Sequence, residues 1–107
     1  MMKNHKQNVV YVLRHKGWPD YVKIGVTSNL SQRLKSLETA SPLGIDIVHV
    51  QPIKNNFLVE NYLHQYYHKY HCHGEWYRLS QQQVLDLIFK LNDLALQEEN
   101  YYKDSSN

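Results

Sequence analysis

The chain has 107 residues, which is enough for one compact domain with a single modest core and too few for two. Its only cysteine, Cys72, excludes an intrachain disulfide, and no apolar run approaches the roughly 20 residues that cross a bilayer. Residues 1–8 lack the apolar stretch of a secretory signal, so we expect an intracellular, cytoplasmic protein.

The formal net charge of +2 is unevenly distributed along the chain. Residues 1–79 carry a net charge of +5, whereas residues 80–107 carry −3. A basic body with nine tyrosines and two tryptophans is compatible with binding a polyanion and stacking on bases. An ordinary mixed surface explains the same numbers, because the excess is well below that of a dense basic stripe.

The first half of the chain predicts a β-hairpin followed by a helix. Residues 8–14 and 21–27 are rich in β-branched and aromatic residues, and the turn residues Gly17, Pro19 and Asp20 lie between them. Leucines at positions 30, 34 and 37 then mark one face of a helix that Ser28 or Asn29 caps. This helix is expected to stop before Pro42.

The second half predicts one more strand and two helices. Residues 45–51 read as a strand, and residues 55–70 as a helix whose apolar face is Phe57, Leu58, Tyr62, Leu63 and Tyr66. An extended piece at 76–79 precedes a capping box, Ser80 with Gln83, and an amphipathic helix that ends near residue 100. That last helix has apolar positions enough for a core or for a partner, so both a monomer and a homodimer are compatible with it.

The fold expected from this order is α+β. A small three-stranded, mostly antiparallel sheet flanked by helices is the economical arrangement for the order β-β-α-β-α-α. Residues 1–100 would form a single domain, and residues 101–107 a disordered tail.

Several short motifs resemble those of the GIY-YIG endonuclease superfamily. They are VVY at 9–11, KIG at 23–25, TSNLSQRL at 27–34, a helix with Glu60 and His64, and GEWY at 74–77. Their order is similar to that of the phage-type DNA-binding branch, the phage T5 open-reading-frame 172 and meiotically up-regulated gene 113 type domains. The likeness covers residues 9 to about 80 and implies a GIY-YIG-like fold that acts on DNA.

The resemblance also implies a role for individual residues. Tyr11 would be the general base or water-orienting group, Arg33 would hold the scissile phosphate, and Glu60 would bind a single Mg²⁺ or Mn²⁺. Lys23 stands where the second motif normally has tyrosine, and Leu37 stands where a histidine is often found. An ammonium beside Tyr11 would lower the pKa of the phenol, which gives Lys23 a supporting role.

Further residues are assigned to the same site. His64, one helical turn after Glu60, would donate a proton or contact the substrate. Glu75 and Trp76 would close the site, Trp76 by packing on the sheet and Glu75 by hydrogen bonding behind the catalytic residues. The residues expected to contact nucleic acid are Arg14, Lys16, Lys35 and Tyr77.

Each residue also has a purely structural interpretation. Taken singly, Tyr11 is an ordinary core aromatic, Lys23 an exposed strand residue, and Arg33 a solvated helix residue that pairs with Glu38 or another acid. Glu60 lies beside the apolar face of its helix, where an unpaired carboxylate would be costly, and so favours a polar pocket.

The histidines raise a competing hypothesis of a zinc site. His64, His68 and Cys72 follow one another at spacings of four, with His71 and His73 beside them. No paired Cys-x-x-Cys is present, and Gly74 indicates that the helix ends before Cys72 completes the face. Zinc is therefore the less favoured metal.

Three functions follow from the sequence, in this order of preference. The first is a metal-dependent DNA endonuclease or nicking enzyme that hydrolyses phosphodiester bonds. The second is a non-catalytic DNA-binding module of the same fold, which the lysine at 23 and the leucine at 37 favour. The third is a zinc-stapled interaction domain.

Overall fold

The fold is built on one five-stranded antiparallel sheet in the computed structural model, which describes residues 7–105. The strands are β1 (Val9–His15), β2 (Trp18–Thr27), β3 (Ile45–Pro52), β4 (His71–His73) and β5 (Trp76–Arg78), and their order in the sheet is β3-β1-β2-β5-β4. The α+β class holds, but the expected three-stranded sheet is wrong. The two missed strands have three residues each, and this is too short for an alternation of apolar and polar residues to be recognised in the sequence.

The β1–β2 hairpin is tighter than the sequence predicts. His15 already pairs with Trp18, so the turn consists of Lys16 and Gly17, and residues 18–20 belong to β2. The paired residues that matter for the site are Tyr11 with Gly25 and Leu13 with Lys23. Residues directly opposite in an antiparallel pair share a face of the sheet, so these side chains all lie on one side.

Helices cover both faces of the sheet. The helices are α1 (Leu30–Thr39), α2 (Asn56–Tyr66) and α3 (Gln81–Ser105), with a short 3-10 helix at His68–Tyr70. On one face α1 packs its three leucines against Tyr11, Leu13 and Ile45, as predicted. On the other face α2 and α3 pack on the larger core, which includes Val10, Val12, Leu63 and Leu87.

The helix ends follow the capping residues. The Asn29 side chain accepts a hydrogen bond from the Gln32 N–H, which fixes the start of α1. At α3 the predicted capping box is present, with Gln83 N–H donating to Ser80 Oγ at 3.2 Å and Ser80 N–H to Gln83 Oε1 at 2.8 Å. The helix runs to Ser105. The predicted disordered tail is therefore helical over 101–105, and its last two residues lie outside the described part.

The buried face of α2 differs from the predicted one. Asn56 and Leu63 are buried, whereas Phe57 and Leu58 are among the most exposed apolar residues of the chain. The helix also ends at Tyr66, four residues early. The orientation of α2 about its own axis matters for the site, because it turns the side that carries Glu60 and His64 toward β2 at Ile24. Within residues 7–105, no helix combines the length and the apolar composition needed to cross a membrane.

Candidate active site

The centre of the site is the contact between Tyr11 and Gly25. Tyr11 is fully buried, and its ring lies over the glycine on the neighbouring strand. A Cβ atom at position 25 would lie 2.5 Å from the Tyr11 hydroxyl and 2.6 Å from a carboxylate oxygen of Glu75. Glycine at this position therefore allows the phenol and a carboxylate to meet over one point of the sheet.

The environment of the Tyr11 hydroxyl disfavours the phenolate. The oxygen is buried and makes no hydrogen bond of standard geometry, although it faces Glu75. Burial, followed by the charge of Glu75, raises the pKa of Tyr11 to about 12, against a smaller lowering by Arg33. The expectation that Lys23 lowers this pKa is wrong, because the lysine charge is directed at a carboxylate instead.

Lys23 is paired with Glu75 at the edge of the site. Its Nζ lies 3.3 Å from Glu75 Oε1, and 15% of the lysine side chain and 32% of the glutamate side chain are exposed. The same ammonium lies 5.5 Å from the centre of the Trp76 ring. The Ile24 N–H donates to the backbone carbonyl of Glu75 at 3.0 Å, which holds the glutamate against β2. Lys23 and Glu75 thus form a partly buried ion pair.

Glu60 enters the same pocket from α2. Burial and, after it, the neighbouring Glu75 carboxyl raise its pKa to about 7, against smaller lowering effects of Arg33 and Lys23. Only 14% of its side chain is exposed. Two carboxyl groups therefore share a partly buried pocket with a guanidinium and an ammonium, and burial is the main reason why the Glu60 pKa is raised.

His64 holds Glu60 and the β2 edge together. Its Nε2 lies 3.2 Å from the Ile24 carbonyl oxygen and 3.8 Å from Glu60 Oε2. A carbonyl oxygen only accepts hydrogen bonds. The His64 Nε2 atom therefore carries a hydrogen and donates the hydrogen bond to the Ile24 oxygen. The ring packs edge-on against Tyr77 at 5.3 Å. The predicted proton donor, His64, is therefore hydrogen bonded to the backbone of β2, and this bond fixes the position of α2.

Arg33 lies beside the pocket on the exposed side of α1. Its helix is fixed by Leu30, Leu34 and Leu37, which pack on the Tyr11 face of the sheet. The guanidinium charge lowers the pKa of both Tyr11 and Glu60, which places it near the two groups at once. An exposed guanidinium above a buried polar pocket is suited to a phosphate.

The four predicted nucleic-acid contacts have different surroundings. Lys35 is exposed on α1, and Lys16 is exposed with its Nζ 3.6 Å from Asp46. Arg14 is half-buried, with its Nε enclosed and without a hydrogen-bond partner. Tyr77 is 1% exposed and belongs to the main core, so its assignment to a nucleic-acid surface is wrong. A ring enclosed on all sides offers no face to a base.

The zinc hypothesis depended on a continuous helix that the protein does not have. Because α2 ends at Tyr66, His68 lies in the 3-10 helix and Cys72 in β4. The Nε2 atom of His71 is hydrogen bonded to the Gly74 carbonyl at 2.7 Å. Over residues 7–105, no group of three or more His, Cys, Asp or Glu side chains is arranged to hold a metal ion.

A hard divalent cation fits the Glu60–Glu75 pair better than zinc does. Both side chains offer carboxylate oxygens, the donors that Mg²⁺ and Mn²⁺ prefer, and Mg²⁺ typically takes one or two protein carboxylates and completes its shell with water and substrate. The pKa of Glu60 is raised first by burial and then by the neighbouring Glu75, so both effects disfavour two charged carboxylates in this pocket. A bound cation would supply compensating positive charge.

Glu75 is the site residue that the sequence placed incorrectly. It was expected behind the catalytic groups, yet its carboxylate faces the Tyr11 hydroxyl, pairs with Lys23 and raises the pKa of Glu60. The signal that locates it is its position immediately before β5, whose pairing with β2 brings Trp76 opposite Lys23. That pairing was not predictable without the fifth strand.

Comparison with known families gives one match. A family model described as "T5orf172 domain" matches residues 8–92, which span β1 to the middle of α3 and include every residue of the candidate site. Neither a curated protein nor a solved structure matches the chain.

Proposed function

We propose that this chain, which belongs to the T5orf172 domain family, is a metal-dependent DNA endonuclease or nicking enzyme. The family is DNA-associated, which supports DNA as the partner. Hydrolysis of its phosphodiester bonds requires an activated water, neutralisation of the phosphoryl oxygens and help for the leaving alkoxide.

The observation that carries the proposal is the convergence on Tyr11. Tyr11 from β1 and Glu75 from the turn before β5 meet over Gly25, and Arg33 from α1 and Glu60 from α2 lie close enough for their charges to act on the pKa of Tyr11. A fold that needed only stability would gain little from two carboxyl groups in one partly buried pocket, because their repulsion and desolvation both disfavour the charged forms. Functional sites retain such arrangements.

Each side chain has a role that follows from its charge and position. Arg33 binds the phosphate and neutralises charge on its oxygens, and the Tyr11 hydroxyl, which keeps its proton at neutral pH and faces Glu75, positions that carboxylate. Glu60 and Glu75 would hold Mg²⁺ or Mn²⁺. Such an ion, when bound, stabilises the developing charge and lowers the pKa of water.

Two further residues maintain this geometry. Lys23 fixes the orientation of the Glu75 carboxylate, and His64 fixes Glu60 by joining α2 to β2.

In the hydrolysis itself, the water oxygen forms a bond to phosphorus as the bond to one bridging oxygen breaks. The water proton passes to solvent or to a basic group, and the leaving alkoxide takes up a proton.

The test is cleavage of supercoiled plasmid in Mg²⁺ or Mn²⁺. We expect nicked or linear product with the wild-type chain and loss of product with Glu60→Gln and with Arg33→Ala. Matched controls are Glu99→Gln and Lys69→Ala, which remove the same charges from exposed positions away from the site. An intact plasmid under both metals, or equal cleavage by the site variants, contradicts the proposal.

One observation favours the second candidate, a DNA-binding module without turnover. The Tyr11 hydroxyl is enclosed and its pKa is about 12, so it supplies no phenolate at neutral pH. Such a module would bind DNA in the presence of a chelator, with an affinity that falls steeply with salt and depends on Arg33. Binding of this kind without cleavage in any metal would select it over the endonuclease.

A further inference from the structure

Both tryptophans of the chain line one groove next to the candidate active site. Trp18 at the start of β2 and Trp76 in β5 face an open groove of about 580 Å³, whose wall also includes Lys23. Lys23 belongs to the active site through its ion pair with Glu75. The groove therefore adjoins the candidate active site through Lys23.

Trp18 is held in place while most of its surface stays open. Its ring lies against the His15 ring, with centroids 4.7 Å apart, and it is 63% exposed. His15 itself is buried and fixed, because its Nδ1 accepts a hydrogen bond from the Gly17 N–H at 3.0 Å. A large aromatic ring that is supported on one side and bare on the other is preorganised for stacking.

The rest of the wall is mainly apolar and aromatic. Trp76 is half-buried, and the Lys23 ammonium lies 5.5 Å from the centre of its ring. Tyr21 and Leu37, near the end of α1, add further apolar surface to the wall. Leu37 also packs toward Tyr11, so the groove and the active site share a structural support. The volume of the groove is typical of sites that bind small organic groups.

We propose that this groove receives an unstacked nucleobase of the nucleotide that adjoins the bound phosphate. Every base has a flat face that stacks on tryptophan, and the single ammonium at the groove boundary suits the anionic backbone from which the base projects. The inference rests on the proposed function, since it takes the phosphate position as given. An apolar peptide would also fit an aromatic wall, but Lys23, which lines the groove and pairs with Glu75 of the proposed phosphate site, favours the base.

The experiment compares two short single strands of equal length, one with all its bases and one abasic throughout. Both strands present the same phosphates, so the difference in affinity between them reports on contacts to the bases, and the Trp18 variants test whether those contacts lie in the groove. We expect the wild-type chain to bind the base-containing strand about 5- to 100-fold more tightly, and its tryptophan fluorescence to be quenched by that strand alone. Both tryptophans report on the groove, so the signal is local.

Three variants make the result specific. Trp18→Ala should bind both strands with the affinity that the wild-type chain has for the abasic strand, and Trp18→Phe should restore much of the preference. Phe89→Ala removes an equally exposed aromatic ring, 70% exposed on α3, and should behave as wild type. Thermal unfolding of each variant confirms that the fold is retained.

The possible failures are distinguishable. Equal wild-type affinity for the two strands, with binding that still requires Arg33, overturns the groove inference and leaves the proposed function standing. A peptide-binding groove would give this same result. Absence of binding to either strand overturns the groove inference, and the plasmid assay then tests the proposed function separately.

Discussion

Tyr11 lies directly across the β1–β2 pair from Gly25, and its hydroxyl occupies the space that a side chain at position 25 would need. The same space borders the Glu75 carboxylate. This explains why a strand whose second half is rich in β-branched residues contains a glycine, although glycine in a strand interior lowers stability. The position is kept free for the approach of a phenol and a carboxylate.

Gly25→Ala should lower both stability and cleavage. The new methyl would meet a fully buried ring that has no room to withdraw, and such overpacking typically reduces the free energy of unfolding by roughly 1–3 kcal/mol. Urea denaturation measures the change. Ser28→Ala, exposed just after β2, is the control and should unfold like wild type. A Gly25→Ala variant as stable as wild type would show that the ring is not confined.

Tyr11→Phe should increase stability while abolishing cleavage. The buried hydroxyl has no hydrogen-bond partner, so its removal relieves a desolvation penalty of about 1 kcal/mol. Tyr67→Phe is a matched control, because the Tyr67 hydroxyl is also buried without a partner, but in the opposite core. It should gain similar stability and keep full cleavage. Loss of cleavage in both variants would show that cleavage does not depend specifically on the Tyr11 hydroxyl.

Glu60 should make the metal-free protein less stable as the pH rises. Its pKa is about 7 in the folded chain and near 4.5 in the unfolded chain, so the folded state binds more protons between these values. The stabilisation is complete below pH 4.5 and is lost by the time the pH exceeds about 7. Urea denaturation in chelator should show a decline of roughly 1–3 kcal/mol across this window that Glu60→Gln lacks. An identical slope in both proteins would refute the assignment.

Glu75→Gln should lower the pKa of Glu60. Glu75 raises that pKa through its charge and proximity, and its removal leaves Lys23 and Arg33 as the nearby charges, both of which act downward. Carboxyl carbon NMR on labelled protein follows the titration directly. Glu99→Gln, a change at an exposed position of α3, should leave the Glu60 signal where it is. An unchanged Glu60 pKa in Glu75→Gln would mean that the two carboxyls act independently.

The sequence predicts the first half of the fold better than the second. The β1 segment is rich in β-branched residues, and α1 and β3 carry periodic apolar positions, so these elements are confirmed. The Ser80 capping box is confirmed, and of the two candidate caps of α1 it is Asn29 that caps the helix. The β4–β5 hairpin is too short for a periodic signal, and Gly74, which adopts a φ of +58° there, reads only as a break. The sheet size was therefore underestimated.

The site residues were predictable in type but not in their interactions. Motif order pointed to Tyr11, Arg33 and Glu60, and in the structure the charges of Arg33 and Glu60 both act on the pKa of Tyr11, which lies over Gly25. The direction of the Tyr11 pKa shift was not predictable, because it depends on burial and on Glu75, which sequence spacing does not report. The burial of Tyr77 likewise follows from a strand pairing that leaves no mark in local composition.

The central claim is that Glu60 and Glu75 form one site for a divalent cation beside Tyr11 and Arg33. Anomalous diffraction from crystals soaked in Mn²⁺ tests it most directly. The account predicts one strong peak within coordination distance of both carboxylates, absent from crystals of Glu60→Gln. A well-ordered pocket without a peak at high Mn²⁺, or a peak bound elsewhere on the chain, would contradict it.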